Sequence, residues 1–280
     1  MSRLNANGDE IGHAYQQSCI DSWRRAGFEP ISVNSINEAC SHSIRTIPVS
    51  RDASAIAGRT LVFLADLLNV ASIEARGRPF ALMNADLFMP PTSALAAKVA
   101  QLRSGEFIFS RRIDIDQPSK TDGVPYRFGY DFFAGHADDI SGLSDVGLVF
   151  GVPWWDHYLP LLMFMQGCRI YQIEPAVLHL NHTERWSWAV WETLGQRFVA
   201  ALQAWVEDKI YRSRLEDAIK RPTDRVISNL KYNLWKRLPK NATGERRRML
   251  LRVSHANLSF LDEMSLATGL AAKTRVVGYI

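Results

Sequence analysis

Cysteine is scarce in this sequence. Only Cys19, Cys40 and Cys168 occur in 280 residues, far apart and with no CxxC pair. An odd, scattered set argues against both a disulfide framework and a zinc knuckle. A reducing cytoplasm is the expected setting, where the sequons at Asn181, Asn241 and Asn257 carry no glycan. Long apolar runs are also missing. None reaches 18 residues, so no membrane span is expected. Met1 to Glu10 is polar and does not read as a secretory signal. Several common catalytic signatures are absent as well: GxGxxG after a strand, GxxxxGK[ST], GxSxG and HExxH. Their absence argues against dinucleotide oxidoreductases, P-loop enzymes, the common serine hydrolases and zincins. There is no internal repeat and no low-complexity tract.

What is present is an ordinary globular composition, 47% hydrophobic and 22% charged. The length suits one large domain, or a domain with an appendage. Charge is uneven. Lys220 to Arg252 holds eleven Lys and Arg against Asp224 and Glu245, a net of +9, which leaves −5 elsewhere in a chain of net +4. The expected division is a main domain over 1–220 and a basic, mostly helical extension over 221–280, with the boundary near Arg221-Pro222. A basic helical tail is ordinarily a solvated face, and less often a contact with an anionic membrane. Nucleic acid is the least favoured partner, because aromatics are not interleaved with the Lys and Arg as a single-strand platform requires.

Apolar periodicity predicts helices over Ala14–Ala26, Thr60–Ala75, Thr92–Leu102, Pro153–Gln166 and Trp186–Lys209, with helical pattern resuming at Ser213 and fading beyond Leu238. A short helical turn is expected over Asn37–Ser41. Strands are expected over Phe28–Asn34, Arg45–Val49, Pro79–Met83, Glu106–Ile115, Tyr130–Ala134 and Arg169–Leu180. This alternation predicts an α/β fold with a mostly parallel, Rossmann-type sheet flanked by helices, followed by the helical extension.

One stretch organises the chemistry. Phe80 to Met83 is an apolar run with the length of a strand buried on both faces, and it stops at Asn84-Ala85-Asp86. Ligands of open α/β sheets bind beyond the carboxyl ends of strands. Asn84 and Asp86 are two apart, so an extended backbone delivers both oxygens to one side. Hard cations such as Mg²⁺ or Mn²⁺ suit such donors. The ordinary alternative is a turn or cap.

Asp156 is the second candidate. It falls in the first turn of its helix, where a carboxylate also complements the helix dipole. Its functional role is a general base. His179 and His182 end a strand-like segment, and one of them is placed to complete a metal site while the other orients it. Satisfied histidines are the commoner case for either alone. Asp114 and Asp116 compete for the metal role. Six of the eight tryptophans lie between Trp154 and Trp205. Most such residues are core, but Trp faces are also platforms for sugar rings. Trp154 and Trp155 beside Asp156, and Trp186 and Trp188 beside His182, are the expected acceptor contacts.

Assembled in this order, the residues resemble the GT-A glycosyltransferases, the nucleotide-diphospho-sugar transferases. Met83-Asn84-Ala85-Asp86 looks like the family's DxD motif, with Asn84 in its first position. Phe150-Gly151-Val152-Pro153-Trp154-Trp155-Asp156 looks like the acceptor-side segment that carries the catalytic carboxylate of inverting members. His179-Leu180-Asn181-His182 falls where many members have a late metal-binding histidine. The opening Gln16 to Trp23, then Gly27-Phe28-Glu29, is similar to bacterial and viral members. The likeness covers roughly Ala14 to Trp191.

The resemblance implies a GT-A-like fold and a metal-dependent, inverting hexosyl- or deoxyhexosyltransferase. The donor is a nucleotide-sugar and the acceptor a glycan or a lipid-linked glycan, as in polysaccharide synthesis. Asn84 and Asp86 would hold the donor through a divalent ion shared with His179 and His182. A cytoplasmic protein, peripheral at the inner face of the membrane through its basic part, follows as an expectation. The alternative is an accessory protein on the same fold.

Overall fold

The computed structural model describes residues 10–38, 42–91, 93–182, 186–208 and 243–267. It is an α/β structure built on a mixed sheet. Strand β5 (Glu106–Ile115) is the spine. Its first half, Phe107-Ile108-Phe109-Ser110, is buried throughout, and alternating side chains feed two different cores. Phe107 and Phe109 join one core, Ile108 the other. The second half turns polar with Arg111, Arg112 and Asp114, so a cluster of charge gathers at that end of the strand.

Strand β7 (Phe132–His136) pairs antiparallel with one side of β5. Strand β8 (Arg169–Leu180) pairs parallel with the other. Strands β3 (Pro79–Met83) and β4 (Leu87–Phe88) form the two edges, giving the order β3-β7-β5-β8-β4. A short β6 (Val124–Pro125) leans on the end of β5. Strands β1 (Ile31–Ser35) and β2 (Arg45–Val49) make a separate parallel pair.

Two expectations are corrected here. The main sheet is not mostly parallel, because β5–β8 is its one parallel pair. Strand β3 is an edge and is not buried on both faces. It alternates, with Phe80 and Leu82 buried and Pro79, Ala81 and Met83 half-buried. Continuous burial belongs to β5 instead.

Helix α1 (Glu10–Arg25) and helix α4 (Leu95–Ala100) cover one face. Between them in sequence lie α2 (Ser54–Ala57) and α3 (Leu64–Glu74). Helix α3 covers the other face with α5 (Trp155–Met165), α6 (Trp188–Glu207) and α7 (Thr243–Ala267). The start of α3 is later than its apolar spacing predicts, since Phe63 bridges Val149 and Leu64 N–H bonds Leu148. Helix α7 lies where the sequence pattern fades. Its Leu250, Val253, Phe260 and Leu261 are fully built into the large core. Residues 39–41 of the turn expected over Asn37–Ser41, the helical pattern expected from Ser213 to Leu238 and the Arg221-Pro222 boundary fall outside the described residues. Among the described residues no helix is long and apolar enough to cross a membrane.

Candidate metal centre

Topology assembles the site. Strands β3 and β4 sit on opposite edges of the sheet, and residues 84–86 join them. The connection starts with a turn in which Leu87 N–H bonds the Asn84 carbonyl. Asn84 lands beside Asp131, just ahead of β7. Asp86 lands at the end of β8, where Leu87 pairs with His179. In the parallel ladder, Asp114 of β5 also pairs with His179. Residues far apart in sequence thus meet at one charged end of the sheet.

Asp86, His179 and His182 form a group able to hold a metal ion. Asp86 Oδ2 lies 3.3 Å from His182 Nε2 and 3.6 Å from His179 Nε2, and the two Nε2 atoms are 3.2 Å apart. Three donors around one ion at about 2.1 Å stand about 3.4 Å apart at tetrahedral angles and about 3.0 Å apart at right angles. Two of the observed spacings fall between those values and the third, 3.6 Å, lies slightly above them, and a triangle of three donors leaves further positions open for substrate.

Asp114 is not a fourth ligand. Its Oδ1 lies 3.0 Å from His179 Nδ1, on the far side of the ring. That contact orients the imidazole so that Nε2 faces Asp86, an arrangement common behind metal-bound histidines. Asp116 is not brought in. It is exposed and faces Asn181 and Lys120.

Arg112 ties the rest together. Its Nε donates to Asp114 Oδ1 at 2.7 Å and its guanidinium donates to Asp131 Oδ1 at 3.0 Å. Asn84 Nδ2 donates to the same Asp131 oxygen at 2.9 Å. The amide of Asn84 is therefore spent on Asp131, and its oxygen remains. Three buried oxygens here have no hydrogen-bond partner: Asn84 Oδ1, Asp86 Oδ1 and Asp131 Oδ2. Orphaned acceptors in a buried anionic cluster suit a cation. Neither Asp131 nor Arg112 stands out in sequence. Asp131 lies in an apolar strand-like run, and Arg112 is one of a surface-looking pair.

Protonation follows the same geometry. Burial alone pushes the His179 imidazole down, but hydrogen bonds to Asp114 and Asp86 override it and raise its pKa to about 9. Burial would lift the Asp86 carboxyl, yet His179 and His182 hold it far below the usual carboxylate range. Burial raises the Asp131 carboxyl despite Arg112 beside it, with Asp156 and Asp86 adding to the rise.

Asp156 sits where the sequence puts it, in the first turn of α5. Its Oδ1 accepts the Trp154 N–H at 3.1 Å and its Oδ2 accepts the Tyr130 N–H at 3.3 Å. It therefore clamps two loops. Trp154 is held at φ 89, the one non-glycine with positive φ among the described residues. Gly129 lies so close that a Cβ there would stand 2.1 Å from Asp156 Oδ2. Tyr130 is next to Asp131, so the clamp is continuous with the metal-side network.

The tryptophans divide. Trp154 and Trp155 are only 2% exposed. The left-handed turn drives both rings inward, Trp154 against Trp191 and Phe198, Trp155 against Phe133 and Phe150. Neither can serve as an acceptor platform, which corrects that assignment. Trp188 is exposed and meets Trp186 edge-on, with Arg247 of α7 over its ring. Exposed Phe128, packed against Tyr126, is a further aromatic near Asp156 that the sequence reading passed over.

The chain matches no family model, no curated protein and no solved structure.

Asp114→Asn is expected to weaken binding of Mn²⁺ about 10- to 100-fold while leaving the fold intact, the usual effect of losing a carboxylate behind a metal-bound histidine. Calorimetric titration checks it.

Proposed function

We propose that the chain is a metal-dependent glycosyltransferase that moves a sugar from a nucleotide-diphosphate donor to a glycan or lipid-linked acceptor, with inversion. The reading is supported by one observation above all. The DxD-like Asp86 and the late pair His179 and His182 converge on a common point, beside buried oxygens that lack partners. Two imidazoles and a carboxylate suit Mn²⁺ better than Mg²⁺.

When bound, the ion supplies Lewis-acid neutralisation of the diphosphate. The protein does the rest. Arg112 and Asp114 keep His179 oriented. Asp156 takes the proton of the acceptor hydroxyl as its oxygen bonds to the anomeric carbon, and the bond from that carbon to the diphosphate oxygen breaks. The two backbone N–H groups on Asp156 fix its carboxylate, which keeps 16% side-chain exposure toward an acceptor. Trp186, Trp188 and Phe128 are the aromatic surfaces left for sugar rings. Basic residues of 220–252, among them exposed Arg248 and Arg252 on α7, suit an acceptor at an anionic membrane, and flotation with anionic liposomes tests that contact.

A thermal-shift screen of nucleotide-sugars with Mn²⁺, with Mg²⁺ and with EDTA tests the activity. A ligand at 100 times its dissociation constant adds about 2.7 kcal/mol. One donor should stabilise the protein with Mn²⁺ and not with EDTA. Asp156→Asn should keep that shift and lose about 10²- to 10⁴-fold in transfer rate. Wild-type turnover in that variant would remove Asp156 as the base. No shift with any donor would favour an accessory protein on this fold.

A further inference from the structure

Helix α1 gives no residue to the Asp86, His179 and His182 group, yet it touches both segments that carry those ligands. Tyr15, Cys19, Ser22 and Trp23 recur at helical spacing, so they share one face of α1. That face is buried. Three of the four side chains bond main-chain groups beside the ligands. The Trp23 indole N–H donates to the Leu87 carbonyl at 2.7 Å. Ser22 Oγ accepts the Met89 N–H at 2.9 Å and donates to the Cys19 carbonyl at 2.6 Å. The Tyr15 hydroxyl accepts the Leu180 N–H at 3.2 Å. Leu87 directly follows Asp86, and Leu180 lies between His179 and His182.

The pairing between the two segments is slight. Strand β4 meets β8 through Leu87–His179 and Phe88–Leu178 alone, and β4 is an edge. The outer main-chain groups of an edge need partners when buried. Leu87 and Met89 are buried, and α1 supplies their partners. The next rung of this ladder would join Asp86 to Leu180. Tyr15 takes the Leu180 N–H instead, which leaves Asp86 out of the ladder and turned to the histidines. On the other side of β8, Asn181 N–H bonds the Ile115 carbonyl of β5. The main chain between the two histidines is therefore held from both sides.

We propose that this face of α1 is a positioning template for the metal centre. Tyr15 holds the histidine arm, Ser22 and Trp23 hold the Asp86 arm, and together they fix the distance between the arms before an ion arrives. The inference rests on the metal reading above and adds residues that act through the ligands. Ligands ordered in advance cost less to gather on binding. The chemistry of Tyr15 suits the task. Burial, with Cys19 and Asp86 adding to it, holds the phenol far above its ordinary range. The hydroxyl stays neutral, turns its proton to the Cys19 sulfur and offers its oxygen to Leu180.

Calorimetric titration of the metal-free full chain with Mn²⁺, and the visible spectrum of bound Co²⁺, test this in Tyr15→Phe and Trp23→Phe. Each variant keeps an aromatic ring and removes one contact to an arm. Mn²⁺ should bind about 10-fold or more weakly, the usual loss when a partner behind the ligands is removed. The Co²⁺ spectrum, which reports coordination geometry, should differ from wild type. Ser18→Ala removes a hydroxyl from the exposed side of the same helix and should change neither reading. Unchanged Mn²⁺ affinity in both aromatic variants would overturn the proposal. So would weaker binding with a wild-type Co²⁺ spectrum, which would make α1 a support of the fold alone. Should either variant not fold, Ser22→Ala decides by the same two readings. Wild-type protein that binds no Mn²⁺ would remove the metal reading itself, and the template with it.

Discussion

Asp86→Ala is expected to abolish the stabilisation of this protein by Mn²⁺. The wild-type chain at 100 times its dissociation constant should gain about 2.7 kcal/mol, a shift of roughly 5 °C or more in melting temperature. The variant should show no shift, because the remaining Nε2 atoms of His179 and His182 make a two-ligand site. Losing a ligand outright should cost more than the roughly 10- to 100-fold that outer partners cost. Asp116→Ala is the control. That carboxylate is 75% exposed and lies outside the group, so its removal should leave the shift intact. A full Mn²⁺ shift in Asp86→Ala would place the ion elsewhere.

The second large effect concerns Arg112. It is 18% exposed and bridges Asp114 and Asp131, the latter 6% exposed. Arg112→Met keeps most of the volume and removes the charge, leaving two carboxylates without their cation. Breaking such a buried pair costs about 3–5 kcal/mol, which for a chain of this size lowers the melting temperature by roughly 10 °C. Part of the penalty is offset as Asp131 takes up a proton, since burial already raises its pKa. Arg45→Met offers the comparison. Its ion pair with Glu74 is well formed at 2.6 Å but leaves Arg45 56% exposed, and such pairs are worth about 1 kcal/mol at most. Equal melting temperatures for the two variants would mean that Arg112 is not buried among charges as described.

Local pattern made much of this legible. Strand β5 falls at the expected residues because a dense apolar run ends abruptly in charge, and α5 is framed by Pro153 and Gly167. The DxD-like stretch and the two histidines were nameable because polar residues at the end of an apolar strand are conspicuous. What was not legible depends on pairing. A parallel sheet and a mixed sheet share the same alternation of elements, so the run of β3 reads as a strand buried on both faces, whereas it alternates and lies at the edge beside β7. Asp131 and Arg112 gain their meaning only across that pairing. Asn84 is conspicuous as an oxygen donor, but that its amide nitrogen bonds Asp131, 47 residues away, while its Oδ1 is left without a partner is not legible in sequence. Trp154 and Trp155 looked available beside Asp156. One left-handed residue turned them inward, and no periodicity reports a single backbone angle.

The measurement that bears most directly on the account is anomalous scattering from crystals of the protein grown with Mn²⁺. The account predicts one strong peak about 2.1–2.2 Å from Asp86 Oδ2 and from the Nε2 atoms of His179 and His182, with His179 Nδ1 still on Asp114. A peak at another position, or none at a Mn²⁺ concentration that stabilises the protein in solution, would contradict it.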